Sequence, residues 1–231
     1  MSMNKYIHGM LALAEAGRSV VDYATLHLDR DLFQSYNMGS TDPVLIIPGY
    51  HCKDEYTTMF QEFLTRLGYT VYGWEQGINF AQMYQFTILR RHLLRIYKKH
   101  QKPVRLIGYS LGGLYARKLA SEHPEAVHSV VTVGAPIYQD VEGSSMRFIK
   151  LFAKLAGADS RIQEFLDCID EHPKVLTTVI YSKTDGIVHW RDALDKVSGP
   201  NLKHICITGS HVGMMFNPMV WRTIRQTYQF H

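Results

Sequence analysis

Short, continuously apolar runs recur along the chain, and most are followed by residues whose apolar positions repeat at helical spacing. Val44-Leu45-Ile46-Ile47 is the first such run, stopped by Pro48-Gly49. Residues 56–67 come next, with Met59, Phe60, Phe63, Leu64 and Leu67 on one stripe and Asp54 placed to cap them. Gly68 ends that helix, and Tyr69 to Trp74 reads as a second strand. A long helical stretch covers 80–99, followed by a strand over Val104–Tyr109 and a helix over Leu111–Ser121 that ends near Pro124. Val127–Val133, Val175–Tyr181 and Leu202–Ile207 are further strand patterns, and Met219–Tyr228 closes the chain as a helix. Strands of continuous apolar character, separated by helices, pair in parallel with both faces of the sheet covered. The expected class is α/β: a doubly wound, mostly parallel sheet with helices on both faces.

One interval breaks the rhythm. Residues 137–174 carry two helical patterns and no strand, where a single crossover helix would suffice. Ile162, Phe165, Leu166 and Ile169 form one apolar stripe, while Met146 to Ala156 is apolar on more than one face and carries Arg147, Lys150 and Lys154. An insertion between two strands, at the carboxyl edge of the sheet, is the place for a cap. The expectation is one domain over 1–231 with a short helical cap at 137–174. Its three cations would suit contact with a membrane surface.

Composition narrows the picture. A chain of 231 residues with 46% hydrophobic and 12% aromatic content can bury a substantial core. The formal net charge is only +4. The densest basic cluster, Arg90, Arg91, Arg95, Lys98 and Lys99, falls on the 80–99 helix and reads as a solvated face. With no nucleic-acid motif beside it, no nucleic-acid partner is expected. Cys52, Cys168 and Cys206 are too scattered for a disulfide framework or a zinc site, which favours a reducing compartment. The apolar run Met10 to Ala14 is too short for a membrane span and is bracketed by His8 and Glu15, unlike a signal peptide. The protein is therefore expected to be soluble and cytoplasmic.

The candidate chemistry sits at strand ends. Gly108-Tyr109-Ser110-Leu111-Gly112 joins a strand directly to a helix, a turn tight enough to strain the serine backbone and expose its hydroxyl above the sheet edge. Small residues are needed at 108 and 112 because strand and helix nearly touch there. A serine hydroxyl needs a base, and the base needs an orienting acid. Asp185 follows the strand Val175–Tyr181, and His211 follows the strand Leu202–Ile207 in a glycine-flanked loop. Each stands at the carboxyl end of its strand, where open α/β sheets place their sites. Asp185-Gly186 is also a plain turn signal. Asp192 and Asp195 are rival acids in a helical stretch, and His189 and His204 are rival bases without the loop position. One oxyanion donor would be the Leu111 amide at the helix start and the other the Tyr50 amide in Pro48-Gly49-Tyr50-His51. A pocket would be lined by His51, Phe148, Phe152 and Met214. No metal-ligand spacing and no nucleotide fingerprint occurs, so no cofactor is expected.

The segments IIPGY at 46–50, LGYTVYGW at 67–74, IGYSLGGLYARKLA at 107–120, VVTVGAPI at 130–137, YSKTDGIVHW at 181–190 and GSHVGMMFNP at 209–218 stand out together. They resemble the α/β-hydrolase superfamily, and within it the bacterial esterase and lipase-like members. The resemblance covers about 42 to 228. It implies Ser110 as nucleophile, Asp185 as orienting acid, His211 as base, and Tyr50 and Leu111 as oxyanion donors. Members of the superfamily often begin with extra antiparallel strands, which residues 1–41 do not place. The expected activity is hydrolysis of a small-molecule or lipid carboxyl ester through an acyl-enzyme. Acyl transfer and thioester hydrolysis use the same residues, and an inert binding protein on this scaffold is the alternative of a different kind.

Overall fold

A computed structural model of the protein describes residues 10–34, 40–137, 173–195 and 199–229. Six strands build one sheet: β1 (Pro43–Ile47), β2 (Thr70–Tyr72), β3 (Val104–Tyr109), β4 (Val127–Val133), β5 (Leu176–Ser182) and β6 (Leu202–Ile207). Their order is β2-β1-β3-β4-β5-β6, and every pairing is parallel. β1 and β3 are buried at every residue, which explains why they read as unbroken apolar runs. β2 is shorter than the expected 69–74 because it is a half-buried edge strand paired only over Thr70–Tyr72.

Helices cover both faces. In chain order they are α1 (Glu15–Leu28), α2 (Arg30–Phe33), α3 (Thr58–Arg66), α4 (Met83–His100), α5 (Leu111–Glu122) and α6 (Pro218–Gln229). Alternate strand residues divide the core. Ile46, Ile107, Val131 and Ile180 pack with Phe60, Phe63 and Leu64 of α3 and Val220, Trp221 and Ile224 of α6. Leu45, Leu106 and Val130 pack on the other face with Phe86, Leu89 and Leu93 of α4 and Leu114 and Leu119 of α5. Each such side chain contributes about 1.5–3 kcal/mol by leaving water.

Two local readings are corrected. Asp54 does not cap α3 with its side chain; it opens a 3₁₀ turn (Asp54–Thr57), and its carboxylate accepts from the amides of Trp74 (2.7 Å) and Glu75 (2.8 Å) beyond β2. Asp192 and Asp195, expected in a helix, instead lie in and just after a run of turns, with Asp192 N donating to His189 O at 2.8 Å. The segment ahead of β1 is helical over α1 and α2 and holds no strand there. The cap expected at 137–174, with Arg147, Lys150 and Lys154, lies outside the described residues over 138–172. The basic cluster of α4 is solvated as expected at Arg91, Arg95, Lys98 and Lys99. Among the described residues, no helix is long and apolar enough to cross a membrane.

The chain leaves β1 for β2 on one side and returns to β3 on the other. That reversal puts the switch in strand order at β1 and β3, whose carboxyl ends are the position where such sheets bind ligands.

Candidate active site

β3 runs straight into α5 through the single residue Ser110. Its backbone adopts φ 51° and ψ −122°, a region that residues with a Cβ rarely occupy. The cost, about 1–3 kcal/mol, is sustained by the buried strand on one side and the helix on the other. The tight approach needs both flanking glycines. A Cβ on Gly108 would lie 2.5 Å from the Gly112 carbonyl carbon and from the Gly113 Cα, and one on Gly112 would strike the carbonyl oxygen of Ile47. Because the obstruction is backbone, Gly108→Ala is expected to lower stability by about 1–3 kcal/mol or more. Urea unfolding would read this as a lower midpoint at an unchanged slope.

Asp185 and His211 converge on this turn from the carboxyl ends of β5 and β6. Asp185 follows β5, and its Oδ1 accepts from the amides of Ile187 (2.8 Å) and Val188 (2.7 Å), which fixes the carboxylate plane. Its Oδ2 lies 2.7 Å from His211 Nδ1, and His211 Nε2 lies 3.1 Å from Ser110 Oγ. Asp185 and His211 are buried, whereas Ser110 is half exposed. Burial pulls the His211 pKa down, but the Asp185 carboxylate and its hydrogen bond, with a further push from Glu15, leave it above the usual histidine value.

The loop after β1 closes the other side. A Cβ on Gly49 would touch the Ser110 Cβ at 3.0 Å, so this loop is pressed against the serine. Tyr50 follows, and Leu111 opens α5, where helix amides have no partner within the helix. His51 has φ 59°, and its amide donates to Asn79 O at 2.8 Å. Asn79, fully buried, also donates through Nδ2 to Pro48 O at 2.9 Å, and so ties the loop down. The His51 ring lies between Tyr50 (4.9 Å) and Phe80 (5.3 Å), centroid to centroid. Burial pushes the Cys52 thiol up to about 11, so it stays protonated at neutral pH.

Met214 does not face an open pocket: it is fully buried, and its thioether packs against Gly134, beneath the histidine loop. Phe148 and Phe152 lie outside the described residues. Among the rivals, Asp195 pairs with Arg117 at 2.8 Å, and His204 Nε2 accepts from the Asp195 amide at 3.1 Å. Neither approaches the serine turn through any of these bonds.

Sequence reasoning missed a second layer around the histidine. The Tyr109 hydroxyl donates to His211 O at 3.0 Å, and the Tyr56 hydroxyl donates to Val212 O. Ser182 Oγ and Thr184 Oγ1 both donate to Gly209 O, at 2.8 and 3.0 Å. Three residues of α1 also reach these loops: Glu15, Arg18 and Asp22. Their only local signal is spacing, since positions 15, 18 and 22 share one helix face. Nothing local says that this face points inward.

A sequence profile described as the alpha/beta hydrolase fold matches residues 81–172. No curated protein matches the chain in sequence. In structure, the chain is similar to a monoacylglycerol lipase of Paleococcus ferrophilus, with TM-score 0.61, 12% identity, and coverage of 83% of this chain and 95% of that one. An esterase of Pyrococcus furiosus gives TM-score 0.60 at 21% identity, covering 83% of this chain and 81% of that one. The thioesterase domain of the curacin biosynthetic pathway gives 0.56 at 14% identity, covering 85% and 93%.

Proposed function

We propose that this chain belongs to the α/β-hydrolase superfamily and hydrolyses carboxylic esters through a Ser110–His211–Asp185 triad. One observation carries the reading: a strained serine at a strand-to-helix turn, hydrogen-bonded through His211 to a buried carboxylate. His211 Nε2 takes the hydroxyl proton as Oγ attacks the ester carbonyl carbon. Asp185 holds the proton on Nδ1, so that Nε2 is the acceptor, and stabilises the imidazolium that forms. The amides of Tyr50 and Leu111 receive the developing oxyanion, with the amino end of α5 adding its dipole. Collapse expels the alcohol, protonated by His211, and leaves an acyl-enzyme. Water then attacks with His211 as base, releasing the acid and restoring Ser110.

The apolar surroundings support an ester with an apolar acyl or alcohol part. Phe80 is exposed beside His51, and Ile78, Tyr84 and Ile88 are exposed nearby in sequence. The test is a fluorophosphonate probe followed by peptide mapping, with a panel of p-nitrophenyl esters and matched thioesters. Labelling at Ser110 with turnover of oxygen esters is expected. A panel in which only thioesters turn over would move the assignment to thioester hydrolysis. An unlabelled Ser110 with no turnover would leave the inert scaffold as the better account.

A further inference from the structure

Helix α1 turns a charged face inward. Glu15 is 5% and Asp22 7% exposed, yet five exposed apolar side chains, Met10, Leu13, Val20, Val21 and Leu28, lie on or beside the same helix. A buried carboxylate costs several kcal/mol unless its oxygens are hydrogen-bonded, so these two need partners. Glu15 Oε1 accepts from the Gly186 amide at 2.7 Å, and Oε2 accepts from the Val212 amide at 2.9 Å. Asp22 Oδ2 accepts from the Ser210 amide (2.9 Å) and hydroxyl (2.5 Å), and Oδ1 accepts from the Asn217 side-chain amide at 2.8 Å. Arg18 lies between them, 3.6 Å from Glu15, and donates to the carbonyls of Thr184 and of Gly209, the latter at 3.2 Å.

The sequence positions of those partners are what matter. Gly186 follows Asp185, while Ser210 and Val212 flank His211. A single carboxylate, Glu15, therefore has one oxygen on the acid loop and the other on the histidine loop. The contact is close as well as polar, since a Cβ on Gly186 would lie 2.5 Å from the Leu11 carbonyl carbon. Resting on the triad proposed above, we infer that Glu15 and Asp22 are positioning residues for the hydrolytic reaction. Glu15 sets the separation of acid and base by bridging their loops, and Asp22 pins the residue before the base.

Glu15 also adds charge. The groups that face His211 are Asp185 after β5, Ser110 and Tyr109 at the end of β3, and Glu15 with its partner Arg18 from α1. Glu15 is one of the groups that raise the imidazole pKa, behind burial, which lowers it, and behind Asp185, which raises it. The base works when neutral, so activity climbs with pH through that value. Removing the Glu15 charge lowers it and moves the acid limb of the pH profile to lower pH.

The experiment uses the full chain, with kcat expressed per site titrated by the fluorophosphonate and thermal melting recorded alongside. Glu15→Gln is expected to lower kcat by about 10- to 100-fold, the scale of a misplacement near 1 Å, with KM within about threefold. Its acid limb should shift down. Glu15→Asp restores the charge without the reach, so its limb should return toward wild type while kcat stays low. Asp22→Asn should lower kcat with the limb in place, and these two variants carry the test if Glu15→Gln does not fold. Lower melting temperatures with wild-type kcat per titrated site and an unmoved acid limb would overturn the inference. A wild-type protein whose Ser110 fails to label overturns the triad itself, and is thereby told apart from failure of the α1 assignment alone.

Discussion

An alanine at position 110 is expected to cut kcat for ester hydrolysis by about 10⁴- to 10⁶-fold and to leave thermal melting nearly unchanged. The two halves of this expectation have separate causes. Rate falls because the only atom removed is the one that attacks the carbonyl. The neighbouring Cys52 cannot replace it, since burial holds its thiol at about 11. Stability persists because alanine keeps the Cβ and therefore the same strain at φ 51°. Among the described residues, one hydrogen bond is lost, the 3.1 Å contact to His211. Glycine at the same position makes the control. It abolishes the rate equally but relieves the strain, so it should melt higher than either serine or alanine. Steady-state kinetics with an ester substrate and thermal melts of the three proteins check both halves. Retention of more than a few per cent of wild-type kcat in the alanine variant would rule out Ser110 as nucleophile.

Asp185→Asn should cost about 10⁴-fold in kcat with little change in fold. The structure dictates which way the new amide turns. Oδ1 of Asp185 already accepts two backbone amides, at 2.8 and 2.7 Å, so the asparagine oxygen takes that place. Its NH₂ group then faces His211 Nδ1, where the carboxylate stood at 2.7 Å. Two donors cannot share that contact, so the imidazole proton moves to Nε2. A protonated Nε2 donates to Ser110 instead of accepting from it, and the base is lost while the side chain stays in place. Kinetics alongside a circular dichroism spectrum matching wild type would bear this out. A loss below about tenfold would mean that Asp185 does not set the tautomer.

Most of the sheet was legible because buried parallel strands have no polar face to disguise them. Val104–Tyr109, Val127–Val133 and Leu202–Ile207 agree to the residue with the apolar runs, and β5 is displaced by a single position. β2 was overestimated because an edge strand is cut short by pairing, which no run of apolar letters reveals. The juxtaposition of Ser110, Asp185 and His211 could be read because each sits directly after its own strand. Asn79, Tyr56 and the face of α1 could not be read. Their meaning lies in contacts with residues far away in sequence, and α1 defeats the usual inference outright. Glu15 and Asp22 face the interior beside the buried Leu26, while Val20, Val21 and Leu28 face solvent. Met214 shows the converse error: an apolar residue three places after His211, expected in a pocket, lies in the core.

The clamp formed by α1 has a consequence for how the molecule is made. Its hydrogen bonds join residues separated by 171, 188 and 197 positions. Contacts of such high sequence separation form late, after the local strand–helix units have closed their shorter loops. On the ribosome, α1 emerges long before Gly186, Ser210 and Val212 are synthesised. Its buried carboxylates must wait in water for partners near the other end of the chain. The sheet can therefore exist before the loops that carry His211 and Asp185 are held together, and the proposed triad becomes complete only among the last events of folding.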